Sequence, residues 1–317
     1  MHTRYFLKTI CGGLALALVC AYNPTYGQGC SDAGFCTIGS FKPEPPLPEN
    51  KKKSAQRISF FSPVGQGDAS VFVWTPALQY DYFTEKGWNF QGKITANYAS
   101  GNLGAQFGAG DIFLSASKAN RLKNGWNLIY TLGTKIPLHQ ANASEGGMPL
   151  PMQYQSSLGT FDAIAGITFA NAKWQFSAGY QQPLSGENKN GFLPEFWNGK
   201  PEAENYPPSF RLNRKADMLL RASRNFSLSP GFDIHAGLLG IFHLGEDTYT
   251  NPFEGDRKIA IEGSSGMTLN ATATAFWKIN NKTRIGVTGG VPLAVREVRP
   301  DGLTRSWILV PELNISF

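Results

Sequence analysis

The sequence predicts an all-β fold: a transmembrane antiparallel up-and-down β-barrel of about 12 strands, closed by a C-terminal strand ending in Phe317. Three observations predict it. Apolar and polar side chains alternate along segments of roughly 9–11 residues, the length a tilted strand needs to cross a bilayer. Aromatic residues stand at the ends of the apolar faces, because an amphipathic ring is most stable at the level of the lipid headgroups. Short connections alternate with long ones, the rhythm of tight periplasmic turns and long outer loops.

Residues 1–27 read as a signal peptide. His2, Arg4 and Lys8 form a basic start, 10–19 a short apolar core, and Thr25 and Gly27 the small residues of a cleavage site. The apolar run falls short of the roughly 20 residues a spanning helix needs. Lipidation at Cys20 is disfavoured by the bulky Val19 before it. Residues 28–53 form a periplasmic Pro-rich extension, with Pro43, Pro45, Pro46 and Pro48 making a stiff tether that belongs to the periplasm or the barrel mouth. Cys30 and Cys36 remain after export, and an oxidising periplasm would join them as a disulfide.

From 54 to 317 the two-residue period dominates. In 88–98, Trp88, Phe90, Ile94 and Tyr98 share a face opposite Asn89, Gln91, Lys93 and Asn97. The stretches 126–136 and 267–277 repeat the pattern, and 161–169 with 174–180 forms a hairpin around 170–173. A soluble sandwich would also alternate, so the aromatic ends decide that the apolar face meets lipid and the polar face a wet lumen. Counting back from Phe317 places strands near 304–317, 282–295, 265–278, 231–244, 214–226, 172–183, 159–169, 124–136, 109–118, 87–99 and 70–83. An even count then requires a first strand at 55–62 and makes 63–69 an outer loop. The aromatic carboxy-terminus resembles the signal that delivers such chains to the barrel-assembly machinery, so the expected setting is the outer membrane of a Gram-negative bacterium, with its lipid as partner.

Three stretches carry a family resemblance: Gly110-Asp111-Ile112-Phe113-Leu114, Leu132-Gly133-Thr134-Lys135-Ile136-Pro137 and Leu158-Gly159-Thr160-Phe161-Asp162. They are similar to motifs of the outer-membrane family named for the MetA pathway of phenol degradation, relatives of the FadL-type channels for hydrophobic compounds. Phe161 stands where that family often has Gly-Ser. The resemblance implies a transport role, without a substrate and without a ligand site to carry over.

The net charge of +6 comes from scattered Lys and Arg, the run 51–53 aside, and no recognition-helix pattern accompanies it, so no nucleic acid is expected. An enzyme would need a Ser activated by a His. His139 and Ser144 share only a loop, so no catalytic residue is assigned. His235 and His243, eight apart on one strand, are too distant to share an ion at about 3.3 Å rise per residue, and neither a metal nor a cofactor is expected.

Lumen-lining candidates are Lys93, Asp111, Lys135, Asp162, Asp217, Arg221, His235, His243, Arg284 and Glu312, with Asp81 and Lys278 in the same phase. Mixed signs favour pairing across the lumen over a selective constriction. In the loop 184–213, Phe192, Phe196, Trp197, Tyr206 and Phe210 either form a capture site at the mouth or pack on one another. The function expected is passive uptake of a small, hydrophobic or aromatic solute. The competing expectation is a non-conducting barrel whose outer loops bind a partner.

Overall fold

Side chains alternate across an antiparallel ladder, so a chain whose apolar phase points outward must close on itself to shelter its backbone. The computed structural model, which describes residues 38–42, 55–302 and 305–317, is such a ring. Its fourteen ladder segments make twelve strands, because the first two strands are each interrupted once. These are β1 (Ala55–Phe61 and Val64–Gly67), β2 (Phe72–Trp74 and Ala77–Phe83), β3 (Trp88–Gly101), β4 (Gly104–Arg121), β5 (Asn127–Pro137) and β6 (Asp162–Ala170). They continue as β7 (Trp174–Pro183), β8 (Asp217–Ser229), β9 (Phe232–His243), β10 (Gly266–Lys278), β11 (Thr283–Ala294) and β12 (Arg305–Ser316).

Each strand pairs antiparallel with its neighbours in sequence, and β1 closes on β12 with Arg57 opposite Ser316 and Phe61 opposite Glu312. Beyond the closing ladder, Phe317 N–H donates to Gln56 O at 2.9 Å, so the final residue lies in the seam. No edge is left open, as hydrocarbon requires.

The faces are inverted relative to a soluble protein. On β5, Leu132 is 68 % exposed to the outside, while Lys135 is 0 % exposed inside. Large side chains such as Leu114, Phe176, Leu238 and Leu309 face outward in the same way. Near the turn ends, Trp126 stacks on Phe169 at 4.0 Å and Phe232 meets Trp277 at 4.7 Å, with Arg224 lying over Trp174 at 5.2 Å. At the opposite rim, Phe72 meets Tyr98 edge-on at 6.4 Å, and Trp74 Nε1 donates to Ser62 Oγ at 2.8 Å. Two aromatic belts flanking an apolar band are what a lipid-embedded barrel requires. Among the described residues no helix is long and apolar enough to cross a membrane.

Two expectations about connections are corrected. The outer loop expected at 63–69 is mostly strand: Val64 pairs with both Leu309 and Trp74, and the chain turns only at 68–71, where Ala69 and Ser70 take left-handed φ of 49° and 62°. The connection expected between 99 and 109 is also ladder, since β3 and β4 stay paired as far as Gly101 opposite Gly104. Glycine in that stretch blurs the alternation that would have shown it. The signal segment, Cys30, Cys36 and the prolines 43–48 lie outside the described residues.

Candidate functional site, an occupied lumen

Inward-facing positions set the chemistry of the ring. All ten lumen-lining candidates lie on the inner side, and Asp81 joins them by pairing with Arg57 at 3.0 Å, whereas Lys278 ends β10 exposed. Lys135 Nζ sits 2.9 Å from Asp162 Oδ2 and donates to Thr160 Oγ1 at 3.0 Å. Gln181 also donates to Asp162. Asp111 accepts from Ser157 Oγ at 2.5 Å, and Lys93 Nζ lies 4.8 Å from the centre of the Phe113 ring. Lower down, His235 meets Phe276 edge-on at 5.5 Å and Arg284 covers that same ring at 4.6 Å; Arg221 points inward from β8 between Leu219 and Ser223. Mixed signs are therefore joined largely as pairs, which lowers the cost of holding charge beside a low-dielectric wall.

What the alternation did not announce is that the lumen holds apolar side chains. Phe113, Ile164, Leu219 and Leu239 all face inward and cluster with Ile38 and Phe41, both fully buried. The stretch expected in the periplasm or the barrel mouth thus has its described part, 38–42, inside the barrel. It fits there for local reasons. Gly39 takes a left-handed φ of 52°, and a Cβ on it would come within 2.7 Å of Ser117 Oγ and Thr131 Cγ2. Its N–H donates to Gln91 Oε1 at 2.9 Å, while Ser40 bonds Thr131 and Thr168 and its carbonyl accepts from Gln175. On the neighbouring strand, opposite Thr131, a Cβ on Gly166 would strike the Phe41 ring at 2.3 Å, so glycine makes the recess. Lys42 reaches Glu312 and also lies 4.4 Å from the Phe61 ring centre. A signal did exist for two of the four: Phe113 stands between Asp111 and Ser115, and Leu219 between Asp217 and Arg221, each interrupting a polar run in its own phase.

The long outer connections (138–161, 184–216, 244–265 and 295–302) form a roof. Phe192, Trp197 and Tyr206 pack with Leu150 and Tyr154 over Val71, Val73, Ala99 and Leu103. The hydroxyls of Tyr154 and Tyr206 are 3.1 Å apart, and Trp197 Nε1 donates to Pro149 O at 2.7 Å. Phe196 and Phe210 are half-buried, and Phe196 makes edge contacts with Phe210 at 6.4 Å and with the exposed Phe253 at 5.8 Å. Of the two readings of these five aromatics, packing accounts for Phe192, Trp197 and Tyr206. A second core of Ala141, Met152, Leu158, Leu212 and Ile261 ties the loops together.

At the rim, charge finishes the roof. Asp301 accepts from Arg296 at 2.6 Å through both oxygens and from Arg214 Nε at 3.1 Å. Burial alone would push the Asp301 carboxyl up, but Arg296 and Arg214 beside it hold it below the usual carboxylate range. Arg214 also reaches Asp217, whose other oxygen lies 2.7 Å from His243 Nδ1, and His243 Nε2 is 2.8 Å from Asp247. His243 is thus held by carboxylates; His235, eight residues away, packs on Phe276, and no group of His, Cys, Asp or Glu among the described residues could hold a metal. His139 Nδ1 accepts from Ala141 N at 3.1 Å, whereas Ser144 pairs with Pro149 in a small hairpin.

Between roof and plug lies a small pocket of ≈ 40 Å³, bounded below by Phe113 and above by 152–158 and Asp301-Gly302. Two of the motif stretches reach it, through Asp111, Phe113 and Leu158, while Lys135 and Asp162 follow Asp111 on the adjacent strands of the same wall.

No family model and no curated relative matches the chain. Among solved structures it is similar to an outer membrane channel from Pseudomonas putida F1, with a TM-score of 0.58 and 14% identity over 86% of this chain and 97% of that one. The NanC porin is also similar, with a TM-score of 0.44 and 9% identity over 82% of this chain and 98% of that one. At 14% identity the first likeness is one of fold: a closed twelve-stranded antiparallel barrel of the outer-membrane kind.

Proposed function

We propose that this chain is an outer-membrane channel for passive entry of a small solute with an apolar body, its path the lumen and its resting state closed by residues 38–42. One observation carries the reading: the ring is apolar outside and polar inside, with an open pocket stacked directly on a seated plug. The fold shared with outer membrane channels supports the setting. Phe196, Phe210 and Phe253, on the outer face, are the aromatics still placed to meet such a solute first.

The closed roof and the seated plug favour a second reading, a barrel that conducts nothing and presents its loops to a partner. Planar-bilayer recordings separate the two. The channel reading expects small, infrequent steps from the whole mature chain and larger, frequent ones from the double variant Ile38→Ser with Phe41→Ser. Silence from both proteins, each showing the heat-modifiable gel shift of a folded barrel, leaves the second reading standing.

A further inference from the structure

Charge is distributed unequally between the two ends of the barrel. At the end with the short turns, four connections each bring one exposed lysine: Lys86 between β2 and β3, Lys123 between β4 and β5, Lys173 between β6 and β7, and Lys282 between β10 and β11. The adjoining strand ends add Arg121, Arg224 and Lys278, also exposed, and the half-buried Lys118. Among the described residues, the acidic side chains at this end that are not buried in the lumen are Glu85 and Asp233, and Asp233 already accepts from Ser227 Oγ at 2.6 Å. The roof end is mixed by contrast. Within one outer hairpin Glu254, Asp256, Arg257 and Lys258 stand together, and Glu187 serves both Arg211 and Lys258.

Two of these cations stand on the lipid side rather than in the bore. Lys118 is in register with Trp88 and shares the outward phase of Leu114; its Nζ lies 5.5 Å from the Trp88 ring centre and donates to the Lys86 carbonyl in the turn. Arg224 is in register with Trp174 and shares the outward phase of Leu220 and Phe226, its guanidinium 5.2 Å and 5.0 Å from the Trp174 and Phe226 ring centres. An aromatic ring covers one side of each cation, so the other side meets the level of the membrane where tryptophan sits, the headgroup region. What a cation meets there is phosphate, and a guanidinium matches two phosphate oxygens at once. The cations are spread around the ring from β2 to β11, so the surface that complements them is broad and flat. A lipid leaflet has that shape and a compact protein partner does not.

From this arrangement we infer that the turn end of the barrel is a docking ring for anionic phospholipid headgroups of the phosphatidylglycerol type in the inner leaflet. Arg224 and Lys118 contact phosphate directly, and the turn lysines add attraction through the surrounding field. A zwitterionic lipid also offers a phosphate, but its own cation cancels that field, so preference by net charge is the signature. The inference uses the orientation of the barrel, with its short turns towards the periplasm, and not conduction through it.

The test reconstitutes the mature chain in phosphatidylcholine vesicles carrying a trace of spin-labelled phosphatidylglycerol or spin-labelled phosphatidylcholine. Electron paramagnetic resonance then reads how much of each label the protein slows. At low salt the anionic label should associate about threefold more strongly, and the ratio should approach equality at about 1 M salt, where charge acts over only about 3 Å. Arg224→Gln with Lys118→Gln should remove about half of the preference or more. Arg257→Gln with Lys258→Gln, on the outer hairpin, should leave it in place. Equal association of the two labels with the wild-type chain, or a preference indifferent to the Arg224 and Lys118 changes in protein that shows the gel shift of a folded barrel, overturns the inference. So does an equal ratio together with co-sedimentation of the solubilised protein on purified peptidoglycan that the same double variant abolishes, which would assign the ring to the anionic cell wall. Bilayer conductance, whatever its value, bears on the channel reading alone.

Discussion

The two halves of the lumen are closed in different ways. In the lower half a single stretch, 38–42, sits against the wall through Ile38, Phe41, neutral hydrogen bonds and one ion pair from Lys42. In the upper half four loops share two apolar cores and a charge network in which Asp301 alone serves two buried guanidiniums. Many mutually dependent contacts make the roof one cooperative body, whereas the plug is a single short stretch held by its own contacts. On the channel reading proposed above, the lower closure is the element expected to move and the upper one the element expected to stay, an assignment that can be broken at either end.

The largest effect is expected at Asp301. Its replacement by Asn would leave Arg214 and Arg296 short of their shared charge, a loss of about 3–5 kcal/mol for a buried pair broken from one side. Limited proteolysis should then cut the 138–161 and 184–216 loops while the barrel keeps its gel shift. Unchanged resistance would show that the apolar cores hold the roof unaided.

Next comes Phe41→Ala, which removes a fully buried ring and should loosen the plug by about 3 kcal/mol. Open probability in bilayers should rise while loop proteolysis stays at the wild-type rate. If both change together, the two closures are one system and the contrast drawn here fails.

Acid gives a graded test. Asp301 is held below the usual carboxylate range in the folded chain, so its contribution is fully present above about pH 4, the ordinary range of an unfolded Asp. It is lost only as pH falls further, toward the folded value. Protease resistance of the loops should accordingly persist at pH 5 and fail in stronger acid, and Asp301→Asn should flatten that profile. The smallest effect is expected at Glu187, which meets Arg211 at 2.7 Å and Lys258 at 2.9 Å across largely exposed partners. Glu187→Ala should cost less than about 1 kcal/mol and leave conductance and proteolysis alike unaltered.

Particular residues show how far the sequence could be read. Strand positions and inner faces followed from alternation, and Lys93, Asp111, Lys135, Asp162 and Glu312 were placed inward by phase alone. The ladder at 101–108 escaped because Gly101, Gly104 and Gly108 carry no side chain to alternate. Loop aromatics such as Phe192 and Tyr206 could not be assigned, since what they touch is Tyr154 and Leu150 from another loop, a pairing no local pattern records. The lumen's apolar wall was in principle visible in Phe113 and Leu219, each out of keeping with its polar phase. Their partners Ile38 and Phe41 lie far upstream in the chain, where nothing in the local spacing points to them.

The position of the final residue carries one more consequence. Phe317 and Gln56 bond backbone to backbone at the junction of last strand and first, so the cylinder cannot shut until its last strand has been delivered. The piece that occupies its bore stands before that first strand in the chain. Biogenesis must then either enclose the piece as the two ends meet or feed it in afterwards from below, and engineering the order of those steps would set whether a newly made cylinder is born corked or leaking.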